Sequence, residues 1–177
     1  MKAGTTLGTL LLICGIVCSP GASAQTAQTA STVPQGVGDG PYVHLVAMRH
    51  EDGARIANAG ATKATNAEVK ALAVRILANQ QKELKELKQF MSSVAEDMAP
   101  ANKNVLAKLP VDDLEKASGA AFDRMFLDLM IQHHRDSLAL TASAKLSMQT
   151  VQDFARRVEP RLTTELKELE ALRKKIG

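Results

Sequence analysis

Two adjacent histidines, His133 and His134, lie inside a long apolar segment that runs from Phe122 to Leu140. Residues three, four or seven positions apart lie on the same face of an α-helix, so Asp123, Met130 and His134 would share one stripe. Imidazole suits Cu, Zn, Ni and Fe, thioether sulfur favours Cu(I), and a carboxylate widens the choice. The segment therefore predicts a metal site on a helical surface that is otherwise apolar.

The two imidazoles need not bind the same ion. Adjacent side chains point about 100° apart on a helix, so His133 and His134 cannot easily bind one ion from a single rigid face. Either they serve two sites, or one is a ligand while the other packs or forms hydrogen bonds. The alternative without a metal is a core histidine that pairs with a carboxylate on a facing helix, while its neighbour lies at the helix boundary.

A second group of ligand-type residues lies nearer the N-terminus. His44, Met48 and Glu51 follow the spacing i, i+4 and i+7, and Asp52 lies one turn beyond Met48. By spacing alone this is the better ligand set on one face, and we expect it near Met130 and His134 across a bundle of helices. In the alternative interpretation Met48 packs in the core, and His44, His50 and Glu51 are solvated. For His50 the solvated position is the favoured one.

Three further polar residues, Gln80, Glu83 and Glu165, lie on or beside apolar helical stripes. They could complete a coordination sphere or orient an imidazole, but interhelical hydrogen bonding is the favoured interpretation. A ferritin-type di-iron enzyme needs Glu-x-x-His on two helices, and this motif does not occur in the sequence. We therefore expect a protein that is not an enzyme.

Residues 1–24 have the features of a secretory signal peptide. Lys2 supplies the positive start, residues 7–17 are apolar, and Ala22-Ser23-Ala24 fits a cleavage site. The apolar part is too short to span a bilayer, so we expect no stable membrane insertion and a periplasmic or secreted protein. Both cysteines lie in this segment, which leaves the mature chain without a thiolate ligand.

The composition argues against nucleic acid as a partner. The chain has 22 Lys and Arg against 19 Asp and Glu, and aromatic residues make up 3% of it with no Trp. No dense basic patch would bind phosphates, and few rings could stack on bases. The sequence identifies no protein partner and leaves homo-oligomer formation open.

The apolar spacing predicts four long helices after a flexible leader over residues 25–40. They cover about 41–62, Thr65 to about Val94, Ser118-Gly119 to about Leu146, and Ser147 or Thr150 to Ile176. A capping box at Thr65-Asn66-Ala67-Glu68 would begin the second helix, a short helical turn is expected near residues 112–117, and Pro160 predicts a kink in the last helix. No strand pattern competes, so residues 41–177 are predicted to form an all-α, antiparallel four-helix bundle.

An internal repeat supports this fold. Sliding the chain by 82 positions aligns Met48 with Met130, Arg75 with Arg157, and Glu83-Leu84-Lys85-Glu86-Leu87 with Glu165-Leu166-Lys167-Glu168-Leu169. The simplest interpretation is a duplicated helical hairpin, over residues 41–97 and 119–177, about a pseudo-twofold axis. In this alignment Glu51 and Asp52 occupy the positions of His133 and His134.

The segment from Phe122-Asp123 to His134 has the pattern Phe-Asp-x-x-Phe-Leu-x-x-Met-Ile-x-His-His. With Leu72-Ala73, Ile76, Gln80 and Glu83, it resembles the bacterial family called domain of unknown function 305. The segment Ser118 to Asp123 and the Glu159-Pro160 step also resemble the sister family 4142. The resemblance implies a ferritin-like four-helix bundle that is exported. Some members of the first family are associated with copper or other metals through His and Met.

The leading hypothesis is therefore an exported, non-enzymatic helical bundle that binds or buffers a metal ion, with copper as the best guess. The predicted metal ligands are His133, His134, Met130, Asp123, His44 and Met48. The alternative hypothesis is an envelope structural or interaction module that has no metal.

Overall fold

The computed structural model of the protein describes residue 34, residues 36–93, residue 106 and residues 109–177. It contains the helices α1 (Asp39–Lys63), α2 (Ala67–Ser93), α3 (Val111–Lys116), α4 (Gly119–Ser143) and α5 (Gln149–Ile176). The described residues include no strand, so the predicted all-α class is confirmed. The predicted signal peptide lies outside the described residues. Within them, no helix is both long and apolar enough to cross a membrane.

The long helices form two hairpins. α1 packs against α2, α4 packs against α5, and α1 and α4 join the two hairpins. The backbones of α2 and α5 come close to each other at few positions. The short α3 confirms the helical turn predicted near residues 112–117. α5 is continuous through Pro160. Part of the predicted flexible leader is bonded to the turn after α4, where the Gly36 amide donates to the Ser143 carbonyl at 2.9 Å.

The second helix does not begin with the predicted capping box. The side-chain oxygen of Asn66 accepts hydrogen bonds from the amides of Glu68 and Val69, at 2.9 and 3.2 Å. Thr65 instead donates through its hydroxyl to Asp123 at 2.6 Å. The cap is therefore Asn66, because the aspartate of the other hairpin holds Thr65.

An aspartate near the start of α1 and another near the start of α4 make matching hydrogen bonds to the opposite hairpin. Asp123 accepts from the amides of Thr65 and Asn66, at 3.0 and 2.9 Å. Asp39 accepts from the amides of Ser147 and Met148, at 3.1 and 3.0 Å. Each aspartate also accepts a hydroxyl hydrogen bond of 2.6 Å. These matched contacts support the duplicated hairpin.

The positions predicted for the first copy of the His-His pair are wrong. In α1 and α4 the matching residues, such as Asp39 and Asp123, lie 84 positions apart. In α2 and α5 they lie 82 apart, as the ion pairs Arg75–Glu168 and Arg157–Glu86 show. A two-residue difference rotates a helical position by about 200°. Arg49 and His50, rather than Glu51 and Asp52, therefore match His133 and His134.

The core consists of two apolar clusters with a layer of polar side chains between them. Along α1, residues 42–47 belong to one cluster and residues 56–57 to the other, and the buried Arg49 and His50 lie between. The other three long helices also carry buried polar residues between the two clusters, and α2 and α4 meet the clusters in the reverse order to α1. We call this region the polar layer; it comprises the half-buried Arg161 and the buried Arg49, His50, Gln80, Glu83, His133, His134, Asp136 and Glu165.

Candidate metal centre

Each hairpin contributes one histidine–glutamate pair to the polar layer. In the second hairpin, His134 of α4 places Nε2 2.9 Å from Oε2 of Glu165 on α5. Its other ring nitrogen, Nδ1, donates to the backbone carbonyl of Met130 at 2.9 Å. Both side chains are almost fully buried.

The first hairpin repeats this arrangement. Nε2 of His50 on α1 lies 2.9 Å from Oε2 of Glu83 on α2, and Nδ1 donates to the carbonyl of Val46 at 2.8 Å. His50 is 1% exposed, so the favoured prediction that this residue is solvated is wrong. The two histidines and two glutamates come one from each long helix.

Arg161 of α5 joins the two pairs. Its Nη2 lies 2.5 Å from Oε2 of Glu83 and its Nη1 lies 2.6 Å from Oε2 of Glu165. Nε donates to Oε1 of Glu83 at 2.8 Å. On the opposite side, Asn79 donates to Oε1 of Glu165 at 2.7 Å. Asn79 and Arg161 are 82 positions apart, so they are equivalent residues of the two hairpins.

These contacts fix the charges of the second pair. Burial alone would raise the pKa of Glu165, but hydrogen bonds from His134 and Asn79 and the charge of Arg161 outweigh it and lower that pKa to about 2. In both pairs Nδ1 of the imidazole faces a backbone carbonyl and Nε2 faces a carboxylate oxygen, so one proton lies between each imidazole and its carboxylate.

His133 has a different environment from its neighbour. Its Nε2 donates to the backbone carbonyl of Arg49 at 2.7 Å, and burial, together with the charge of His134, lowers its pKa well below the usual value. The neutral ring therefore has its lone pair on Nδ1. This buried atom has no hydrogen-bond partner, and neither has the amide of Gln80. His133 and His134 therefore have different hydrogen-bond partners, and separate roles for them in metal binding stay a prediction.

Arg49 is the other cation of the layer. It is 1% exposed and donates through Nη2 to Oδ2 of Asp136 at 3.1 Å. A cavity of about 10 Å³ lies beside Arg49 and His50, which is about the space that one water molecule needs. This cavity is too small for an organic substrate or an organic cofactor.

Two predicted ligands of α4 lie away from the histidine–glutamate pairs. Asp123 is eleven residues before His134, or roughly 16 Å along the helix axis, and its carboxylate accepts the bonds from Thr65 and Asn66. The Met130 side chain belongs to an apolar cluster. What Met130 supplies near the pairs is its backbone carbonyl, which orients His134.

The predicted ligands of α1 are not brought into the polar layer. His44 and Met48 are only half-buried, and Glu51 is exposed and pairs with Lys88 at 3.5 Å. Over the residues that the structure describes, no three or more His, Cys, Asp or Glu side chains are grouped so that they could hold a metal ion. In the polar layer, the guanidinium of Arg161 lies between the two pairs.

The structure confirms the favoured interpretation for Glu83 and Glu165, since both form interhelical hydrogen bonds. For Gln80 this interpretation is wrong, because neither polar atom of its buried amide has a hydrogen-bond partner. Sequence reasoning missed His50 and Arg161. A second alignment, by 84 positions, would have matched Asp39 and His50 with Asp123 and His134. The partners of Arg161 lie 78 positions before it and 4 after it, so only the second contact leaves a local signal.

Comparison with known proteins gives the family. Residues 39–173 match the family described as domain of unknown function, DUF305. The chain belongs to the DUF305 family. Among curated proteins, none matches this DUF305 chain in sequence. The additional likeness to family 4142 stays a prediction.

Solved structures share the fold of this DUF305 chain. CopM in the Cu(II)-bound form is 22% identical, with a TM-score of 0.70 over 80% of this chain and 99% of that one. CopM in the Cu(I)-bound form is also 22% identical, with a TM-score of 0.66 over 77% and 95%. A putative secreted DUF305 protein from Streptomyces coelicolor is 14% identical, with a TM-score of 0.69 over 77% and 91%. At these identities the likeness shows the fold alone.

Proposed function

We propose that this DUF305 protein is an exported, non-enzymatic bundle that binds or buffers one metal ion in its polar layer, with copper as the first candidate. The observation that carries the proposal is the pair of equivalent His–Glu contacts, with one residue from each long helix. Of the ligands predicted from the sequence, His134 is retained, and His50, Glu83 and Glu165 complete the set.

The orientation of the histidines supports metal binding. Metal-binding imidazoles commonly donate one N–H to a carbonyl or carboxylate, which leaves the other nitrogen to bind the ion. His50 and His134 each donate Nδ1–H to a carbonyl and present Nε2 to a carboxylate. A metal ion would replace the proton between the imidazole and the carboxylate. Binding would therefore release protons and be stronger at higher pH.

The donor atoms favour Cu(II) among the common ions. The set contains two imidazole nitrogens and two carboxylates, which suits Cu(II), Ni(II) and Zn(II), and Cu(II) binds such donors most strongly. Cu(I) prefers sulfur, but the Met130 side chain packs among apolar residues. Copper is also the ion in the CopM structures that share this fold. Since the cavity beside His50 is only about 10 Å³, storage or transfer of an ion is more plausible chemistry than turnover of a substrate.

A titration tests the proposal. The mature protein, residues 25–177, is titrated with Cu(II), Cu(I) and Zn(II) in competition with a chelator of known affinity. We expect one Cu(II) per chain, and a loss of about 100-fold or more in affinity when His50→Ala and His134→Ala are combined. His44→Ala is the matched control, because His44 is a half-buried histidine of α1 outside the polar layer. If the double substitution left the copper affinity unchanged, the metal site in the polar layer would be refuted.

The second candidate is a structural or interaction module without a metal. It is favoured by Arg161, which already forms ion pairs with both glutamates. In that case the wild-type protein would bind no stoichiometric Cu(II), and the double substitution would change only stability. Export is part of both candidates, and mass spectrometry of the protein from the periplasm would detect cleavage after Ala24.

A further inference from the structure

We propose that the guanidinium of Arg161 occupies the position of the cation in the polar layer and must leave it before a metal ion binds. Arg161 would then set both the affinity for the ion and the rate of its uptake. This inference rests on the proposed metal-binding function. It concerns a residue that is not itself a ligand.

The first step of the argument is the sharing of oxygen atoms. Oε2 of Glu83 contacts both His50 and Arg161, and Oε2 of Glu165 contacts both His134 and Arg161. The planar guanidinium presents its donors in a fixed fork that suits two carboxylates at once. The oxygens that a metal would need are therefore already bound by a cation of this chain.

The second step is electrostatic. A metal dication bound between Glu83 and Glu165 would lie within a few ångströms of the guanidinium if Arg161 stayed in place. Two like charges about 4 Å apart repel by several kcal/mol at the effective dielectric constant of a protein site near the surface. The oxygens that would bind the ion are the ones that Arg161 already contacts, so the guanidinium and the ion would compete for the same space.

The third step is the exposure of Arg161. Its side chain is 22% exposed, whereas those of His134 and Glu165 are 0% and 4% exposed. It lies where α2 and α5 face each other, and these two helices are joined by long side chains, such as Arg161 to Glu83 and Arg157 to Glu86. The long aliphatic stem lets the charged group reach water while the histidines stay in place. The same movement would open a path from solvent to Glu83.

The fourth step is the difference between the hairpins. Asn79 holds the position equivalent to Arg161 and makes the equivalent bond to Oε1 of the opposite glutamate. Asparagine is shorter and neutral, so it orients Glu165 without occupying the space between the pairs. A neutral amide at position 161 would therefore preserve a contact that this fold already uses, and it would remove the competing charge.

The experiment compares Arg161→Gln with Arg157→Gln. Arg157 is the matched control because it lies one turn before Arg161 on α5 and bridges to α2 through Glu86, at 2.6 Å. Cu(II) affinity is measured by chelator competition, uptake by stopped flow, and folding by thermal melting of the metal-free protein. We expect Arg161→Gln to bind Cu(II) about tenfold or more tightly and to take it up faster, and Arg157→Gln to stay within about twofold of wild type.

Arg161→Lys is the second variant and keeps the measurement decisive if the amide variant folds poorly. Lysine retains the charge but cannot bridge two carboxylates with a fixed fork, so we expect an affinity between those of wild type and Arg161→Gln. Equal or weaker binding by both variants, with wild-type binding intact, would overturn the role of Arg161 and leave the metal site standing. Absence of binding in all three proteins would overturn the metal site itself.

Discussion

The two His–Glu pairs have the same parts but differ in their surroundings. Glu165 is 4% exposed and accepts bonds from His134, Asn79 and Arg161. Glu83 is 11% exposed and is bonded to His50 and Arg161 in the layer. Duplication of the hairpin explains the likeness, and the single exchange of Asn79 for Arg161 explains much of the difference. The first pair is therefore the solvent side of the polar layer, and the second pair is its interior side.

The largest expected effect comes from removing one glutamate at a time. Glu165→Ala would remove the buried acceptor that His134, Asn79 and Arg161 share, and we expect a loss of about 3 kcal/mol in the free energy of unfolding. Glu83→Ala should cost roughly half as much, because Glu83 is more exposed to water. Urea denaturation of the metal-free proteins measures both values. Equal losses would show that the two pairs are not distinguished by burial.

Acid should weaken the pair of His134 and Glu165 by protonating Glu165. Its pKa falls from 4.5 to about 2 on folding, so its contribution to stability is fully present above the unfolded pKa. That contribution is lost as the pH falls from about 4.5 to 2. We expect Glu165→Gln to flatten the decline of stability over this window, as followed by urea denaturation at successive pH values. A decline as steep as that of wild type would contradict the assigned charge.

A pair of equivalent positions in α1 and α4 tests the close approach of the two hairpins. A Cβ atom on Gly53 would lie 2.6 Å from Nε2 of His133, whereas the equivalent Ser137 already carries a side chain, which bonds to the His133 carbonyl at 2.8 Å. We expect Gly53→Ala to cost about 2 kcal/mol through overpacking. Ser137→Ala should cost about 0.5–1 kcal/mol. Thermal melting that ranks them in the reverse order would contradict this geometry.

Asp123 and Asp39, the aspartates that accept hydrogen bonds from the opposite hairpin, give the smallest expected difference in stability. Asp123 is 2% exposed, and Asp123→Ala would leave the Thr65 and Asn66 amides without their acceptor, at a cost of about 1.5–2 kcal/mol. Asp39→Ala should cost about 1 kcal/mol or less, since its partners Ser147 and Met148 are exposed. Urea denaturation compares the two. An equal cost would mean that burial does not separate the two ends of the bundle.

The helices and the hairpin repeat could be predicted because apolar spacing and local identity are properties of neighbouring residues. The register of α1 against α4 could not. His50 and Glu83 are 33 positions apart, whereas His134 and Glu165 are 31 apart, and the identities that fixed the alignment are concentrated in α2 and α5. Two residues turn a helical face by about 200°. An alignment by 82 positions therefore matches Glu51 and Asp52 with His133 and His134, whereas the structure matches Arg49 and His50 with them.

The polar layer also depends on contacts that no local pattern reveals. His50 lies beside polar and charged residues in the sequence, so periodicity favours a solvated side chain, but Glu83 and the Val46 carbonyl satisfy it inside the bundle. Asp123 shares the stripe of His134, yet its carboxylate accepts hydrogen bonds from Thr65 and Asn66 of the opposite hairpin. Spacing identifies a common face, and only tertiary structure decides which partner each face meets.

Pulsed electron paramagnetic resonance of the protein loaded with one Cu(II) per chain tests the central claim most directly, because it counts the imidazoles bound to the ion. Two rings are expected in the wild-type protein, one after either His50→Ala or His134→Ala, and none after both. A spectrum of coordinated imidazole that persists when both histidines are replaced would place the copper elsewhere and contradict the account.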